Sequence, residues 1–277
     1  MSVLLLISLL LYSFGLFNIA RTWRTKRKDL ALPALTAIGC GFGIHTAALL
    51  WRAAQVGGIP ITGHAQEAFS FLGWALVLYY LITYSQYKTQ ALTAFILPLV
   101  VGFTLAATVL PTNRDVSPQT ALQLQGISSS PLFIFHIILI MFSYAAFFVT
   151  FASAIMYLVQ ERELKLKRFG SFFFRLPSLT TCDEISYRSL SIGFVLLTIA
   201  LALGVYMNSQ RDGKLWHNDP KEIIAVVTWL LYLVLMHYRL TERWRGHRAA
   251  IISIVGFGLI LFSLIGIRFL HSYHVFG

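Results

Sequence analysis

The chain has 277 residues, 57% of them hydrophobic and only 12% charged, against about 25% charged in soluble domains. Its net charge of +11 is spread over short breaks between apolar runs. Nucleic-acid binding wants a contiguous basic face on a soluble domain, and this distribution excludes it. The composition is that of a protein solvated by a lipid bilayer.

Crossing a hydrocarbon layer of ~30 Å takes roughly 20 apolar residues per helix. The sequence predicts eight such stretches, near 2–20, 30–54, 67–85, 91–110, 132–159, 189–207, 222–240 and 249–270. The first, Ser2 to Ala20, lacks a basic segment ahead of it and is followed by Arg21, Arg24, Lys26, Arg27 and Lys28, which suits an anchored helix better than a cleaved signal peptide. Taking alternate connections as inner places 16 basic residues inside and 6 outside, the outer ones being Arg52, Arg114, Arg211, Lys214, Lys221 and Arg268. This bias predicts both termini on the outer, extracytoplasmic side.

No repeat or Gly/Ser linker divides the chain, so a single all-α, polytopic transmembrane domain over 1–277 is expected. The longest outer loop runs from Pro111 to Pro131. The longest inner connection, Glu161 to Arg188, carries Phe172, Phe173, Phe174 and Pro177 among its charges and reads as a segment lying at the interface. Cys40 and Cys182 form no C-x-x-C pair and read as structural cysteines.

A histidine inside a membrane span costs free energy unless it is paired or lines a cavity, so each is a functional candidate. His136 lies near the outer end of the fifth span and His271 at the outer end of the eighth. Between them in sequence falls the outer loop Asp212-Gly213-Lys214-Leu215-Trp216-His217-Asn218-Asp219-Pro220-Lys221-Glu222. Two imidazoles, an aromatic plane and the cations Arg211, Lys214, Lys221 and Arg268 thus share one surface. Metalloporphyrin binding needs this combination: imidazoles ligate the iron axially, a ring packs on the macrocycle, and cations meet the propionates. The same residues also suit helix-end caps and an ordinary interfacial tryptophan. His45 and His237 lie within their spans, where either a second haem-binding pair or interhelical hydrogen bonds accommodate them. His64, His217, His247 and His274 fall in loops or the tail.

These residues resemble the CcsA/CcmC family of cytochrome c assembly membrane proteins, which includes ResC- and HemX-like members. The family's hallmark is an outer tryptophan-rich loop, the WWD domain, reading W-G-x-x-W-x-W-D-P-K-E. The stretch here reads DGKLWHNDPKE. The resemblance is widest over 131–273, through Phe135-His136, Phe142-Ser143-Tyr144-Ala145-Ala146, Ile185-Ser186-Tyr187-Arg188, Asp219-Pro220-Lys221-Glu222 with Trp229, His237, and Leu270-His271-Ser272-Tyr273. A weaker match runs from Gly43-Ile44-His45-Thr46 through Arg52 and Pro60 to Trp74. Two of the family's three loop tryptophans are replaced, by Asp212 and Asn218, leaving Trp216 alone.

The resemblance implies a haem-handling protein of cytochrome c biogenesis by system II. His136 and His271 would ligate an outer haem iron, Trp216 and the Asp219 loop would hold the porphyrin, and His237, with His45, would bind haem inside the membrane. The implied cofactor is haem b, bound or in transit. The implied partners are apocytochrome c and a CcsB/ResB-like membrane subunit supplied as a separate polypeptide, and the implied location is a bacterial cytoplasmic (inner) membrane. An enzymatic role would be that of a subunit of a cytochrome c synthase; no nucleophile or carboxylate pair is arranged for hydrolysis. Two alternatives accompany this reading, a HemX-like protein influencing tetrapyrrole synthesis and a cofactor-free transporter or scaffold. The chain lacks the paired Gly/Pro-broken helices of many transporters, which argues against the last.

Overall fold

The computed structural model describes residues 2–25, 31–56, 59, 65–110, 130–167, 170, 173–217, 219–241 and 246–265. Among them the regular structure is entirely helical: α1 (Ser2–Thr25), α2 (Ala31–Val56), α3 (Ala65–Tyr87), α4 (Gln90–Val109), α5 (Pro131–Lys165), α6 (Leu179–Asp212), α7 (Pro220–Thr241) and α8 (His247–Ile265), with one 3-10 turn at Phe173–Arg175. All eight α-helices contain a segment long and apolar enough to cross a membrane, as the sequence predicts.

Two helices outrun their predicted spans. α5 has 35 residues and α6 has 34, each about 50 Å long at ~1.5 Å per residue, well beyond the hydrocarbon thickness. The extra turns of α6 come from local chemistry rather than from apolar length. Ser178, in extended conformation, caps α6 by accepting the Thr181 N–H at 3.1 Å. Asp183, in the second turn, then pairs with Arg239 of α7, whose side chain is 3% exposed. Much of the inner connection predicted to lie at the interface is therefore helix, with the 3-10 turn between its two ends. At the other end α6 stops at Gly213, whose φ of 74° only glycine adopts readily, and whose N–H donates to the Ser209 carbonyl.

The helices form two compact units, Met1–Val116 with Lys167–Pro177, and Ser117–Leu166 with Ser178–Gly277. In the first, α1 packs on α2 and α4 while α3 packs on α4 and, less extensively, α2. Its interior holds Leu5, Tyr12, Ile38, Leu72, Tyr80, Leu92 and Ile96. In the second, α5 lies against α6 and α8, and α7 closes the ring between them. Phe147 stacks on Tyr232 with centroids 4.0 Å apart, and Phe151 on Phe257 at 3.6 Å. Apolar side chains such as Phe14, Phe17, Leu50, Val195, Ile199 and Val255 remain exposed, as lipid-facing positions require. Cys182 is buried and Cys40 exposed, both as free thiols.

Candidate functional site

The second unit builds the candidate site from two antiparallel contacts. The first is between α5 and α6. Along this seam the Ser143 hydroxyl donates to the Gly193 carbonyl at 2.9 Å, and seven residues away on each helix His136 meets Ala200. The imidazole Nδ1 of His136 lies 2.8 Å from the Ala200 carbonyl oxygen. A carbonyl only accepts, so Nδ1 carries the proton and Nε2 carries the lone pair. Residue 204, one turn on, is glycine, and a Cβ there would stand 3.0 Å from His136 Cε1, a tight approach.

The second contact is between α6 and α7, which run antiparallel through Trp229, whose indole N–H donates to Thr198 Oγ1 at 2.9 Å while its ring stacks on Phe194. Nearer the loop, Asn208 donates to Glu222 Oε1 at 2.8 Å, and the other oxygen of Glu222 accepts the backbone N–H of His217 at 2.9 Å. The His217 ring extends the chain, with Nδ1 3.4 Å from Glu222 Oε1 and Nε2 3.4 Å from an Arg211 nitrogen. Glu222 sits in the first turn of α7, where the helix dipole favours a negative charge. Asp219 is fully buried and its carbonyl accepts the Ile223 N–H, the position of a helix N-cap just ahead of Pro220. The loop is thus held at both of its ends while Trp216 stays 41% exposed.

Because α5 and α6 are antiparallel, His136 lies toward the end of the unit from which this loop emerges. Residue 213 follows residue 204 by about 13 Å of helix rise at ~1.5 Å per residue. His136, the Trp216 loop, Arg211 and Lys214 are therefore gathered at one end of one unit. His271, Arg268, His64, His274 and Asn218 lie outside the described residues.

The other two candidate histidines have different surroundings. His237, on α7, is exposed, with its ring 5.8 Å from that of Tyr238. It stands 15 residues beyond Glu222, ~22 Å along the helix from the loop. Close by, Arg239 pairs with Asp183 and lies over the Tyr187 ring at 5.5 Å. His45, in the first unit, is fully buried, with Nε2 3.0 Å from Ser70 Oγ and Nδ1 3.4 Å from Tyr12 Oη. One turn of α3 further on, Trp74 donates to Thr46 at 2.8 Å and stacks on Phe42. His247, read from sequence as a loop residue, opens α8 and meets Glu161 at 2.6 Å.

Sequence reasoning did not find Ala200, Gly204, Asn208 or Ser70. The first two act through a backbone carbonyl and a missing side chain, which leave no chemical motif. Among the described residues no three or more His, Cys, Asp or Glu side chains converge to hold a metal ion. An iron already held by four porphyrin nitrogens needs only one or two imidazoles. A histidine whose Nδ1–H is committed to a carbonyl, with its lone pair on Nε2, fits that need.

Comparison with known proteins places these features in a lineage. The family described as "Cytochrome C assembly protein" matches residues 62–274. The chain is 30% identical over 256 residues to the cytochrome c biogenesis protein CcsA of Synechococcus sp. (strain CC9605), covering 83% of both chains. It is 32% identical over 260 residues to the CcsA of Prochlorococcus marinus (strain NATL1A), covering 82% of this chain and 80% of that one. Among solved structures, cytochrome c heme lyase CcmF superposes with a TM-score of 0.68 at 14% identity, over 95% of this chain and 46% of that protein. The chain thus spans about half the length of that lyase, and this likeness shows a shared fold.

Proposed function

The chain belongs to the cytochrome c assembly protein family, and from that membership we propose that it binds haem at the loop-bearing end of its second unit and presents it for attachment to apocytochrome c. It is a multi-pass membrane protein of cytochrome c biogenesis. The observation that supports the haem reading is the 2.8 Å bond between His136 Nδ1 and the Ala200 carbonyl, because it leaves the lone pair on Nε2, with the ring against the helix that leads into the Trp216 loop.

In this reading His136 and His271 would hold the iron of an outer haem b, Trp216 would pack on the porphyrin, and Arg211 and Lys214 would supply positive charge for the propionates. Asp219 and Glu222 act through the loop: one terminates it at the N-cap of α7, the other ties it to α6. His237 and His45 are each intramembrane candidates for haem in transit, and His45 would ligate iron by exchanging its Ser70 hydrogen bond. The apocytochrome brings the thiols that attack the haem, so this chain's share of the chemistry is binding, orienting and shielding the iron rather than acid–base catalysis. A CcsB-type subunit encoded separately completes a system II synthase in a bacterial cytoplasmic membrane, with the loop on the outer side as the charge bias predicts.

The test is reconstitution in cells lacking their own assembly system, with this chain, a CcsB-type subunit and an apocytochrome bearing C-x-x-C-H expressed together. Haem-stained cytochrome resistant to denaturation is expected only when this chain is present, and with His136→Ala its yield falls by about 10-fold or more. Equal yield without the chain would contradict the assignment.

A further inference from the structure

The ring of His136 is packed onto the backbone of α6 at a place where no side chain intervenes. Nδ1 lies 2.8 Å from the Ala200 carbonyl, and Cε1 lies 3.0 Å from where a Cβ on Gly204 would stand. One turn separates Ala200 from Gly204 on the same helix face, so the carbonyl and the gap form a single seat for the imidazole. We propose that Gly204 is a positioning residue for haem binding: its missing side chain lets His136 sit against the Ala200 carbonyl, which fixes the ring plane and keeps the lone pair on Nε2 for iron. This inference rests on the reading of His136 as a haem ligand.

The physical argument is one of geometry and tautomer. A neutral histidine away from such a partner exchanges its proton between the two nitrogens, and only one tautomer offers Nε2 to a metal. A carbonyl acceptor selects that tautomer and raises the basicity of the ligating nitrogen, and loss of such an outer partner typically weakens metal binding 10–100-fold. Added bulk at 204 presses on Cε1, between the two nitrogens, so the ring relieves it only by tilting or by lengthening the bond to Ala200. The effect therefore grows with side-chain size, from Gly204→Ala to Gly204→Val.

A second glycine on α6 supplies the control. A Cβ on Gly193 would stand 2.8 Å from Phe147 Cε1, so Gly193→Ala strains the same α5–α6 seam about three turns away without touching His136. The experiment titrates ferric haem b into the detergent-solubilised full chain, as wild type, Gly204→Ala, Gly204→Val, Gly193→Ala and His136→Ala. In parallel, nitrogen NMR of labelled histidine in the haem-free protein, assigned by comparison with His136→Ala, reports the tautomer.

The expected result is about 10-fold weaker haem binding in Gly204→Ala and more in Gly204→Val, with a shifted Soret band and a His136 signal moved from the Nδ1-protonated tautomer toward the exchanging average. Gly193→Ala lowers thermal stability while binding haem within about two-fold of wild type. Three results overturn the inference: wild-type affinity, spectrum and tautomer in both Gly204 variants; an unchanged tautomer despite weaker binding; or equal haem loss in Gly193→Ala. If His136→Ala itself binds haem like wild type, the ligand reading falls and takes the inference with it. Failure of Gly204 alone is distinct, because His136→Ala then still loses haem.

Discussion

Asn208 on α6 and Glu222 on α7 are joined side chain to side chain at 2.8 Å, and the second oxygen of Glu222 holds the backbone N–H of His217 at 2.9 Å. One carboxylate thus links two helices to the loop between them. Charge-assisted bonds of this kind contribute about 1.5–3 kcal/mol when made. Glu222→Gln keeps the shape but loses the charge and its pairing with the His217 ring, so the loop is expected to loosen without the helices separating. Limited proteolysis within 213–219 checks this: cleavage speeds several-fold in Glu222→Gln, further in Glu222→Ala, and α6 and α7 stay protected. Unchanged cleavage in Glu222→Ala would show that the loop is held by something else.

Trp216 is 41% exposed, so its ring presents surface to a porphyrin at the loop. A lost aromatic contact is worth about 0.5–1.5 kcal/mol beyond its area, so Trp216→Ala weakens haem binding about 2- to 12-fold and Trp216→Phe recovers most of it. Haem titration followed at the Soret band measures both. Equal losses in the two variants would assign Trp216 to packing within the loop instead.

The Arg239–Asp183 pair joins α6 and α7 at the end away from the Trp216 loop, with side chains 3% and 19% exposed. Removing Arg239 leaves the half-buried Asp183 carboxylate with the Gly246 N–H, at a cost of about 1–3 kcal/mol. Arg239→Met is expected to lower the thermal unfolding midpoint of the detergent-solubilised protein, and the double variant Arg239→Met with Asp183→Leu recovers most of the loss. Affinity for haem at the loop end, measured below the transition, stays within about two-fold, because Arg239 lies about 26 Å from Glu222 by helix rise.

His45 carries hydrogen bonds on both ring nitrogens, to Ser70 and Tyr12. If it becomes an intramembrane ligand, the Ser70 hydroxyl competes with iron for Nε2. Ser70→Ala therefore raises the haem retained after purification, and His45→Ala in the same background removes the gain. A Ser70→Ala protein with unchanged haem content and lower stability would mark the His45 cluster as a structural hydrogen-bond network.

Eight helices were legible because lipid demands apolar length, and that demand is written residue by residue. The first turns of α6 were not, because they follow the Ser178 cap and the Asp183–Arg239 pair, where the polar residues resemble those of a connector. The loop between α6 and α7 was legible in its DPKE end and its flanking charges. The role of Glu222 as a tie to Asn208 appears only when two helices meet in space. The seat of His136 was hidden more deeply, since Ala200 acts through its carbonyl and Gly204 through what it lacks. His45 shows the converse: a lone intramembrane histidine signals chemistry in sequence, while Ser70, 25 residues away, supplies it with a hydrogen-bond partner.

The central claim is that this chain holds haem through His136 and His271. Its most direct test is the absorption spectrum of the full chain purified from haem-replete cells, as wild type, His136→Ala and His271→Ala. A bis-histidine haem spectrum is expected in wild type, and loss of the outer-face haem in each variant with folding retained. A colourless wild-type preparation, or variants indistinguishable from wild type, would contradict it.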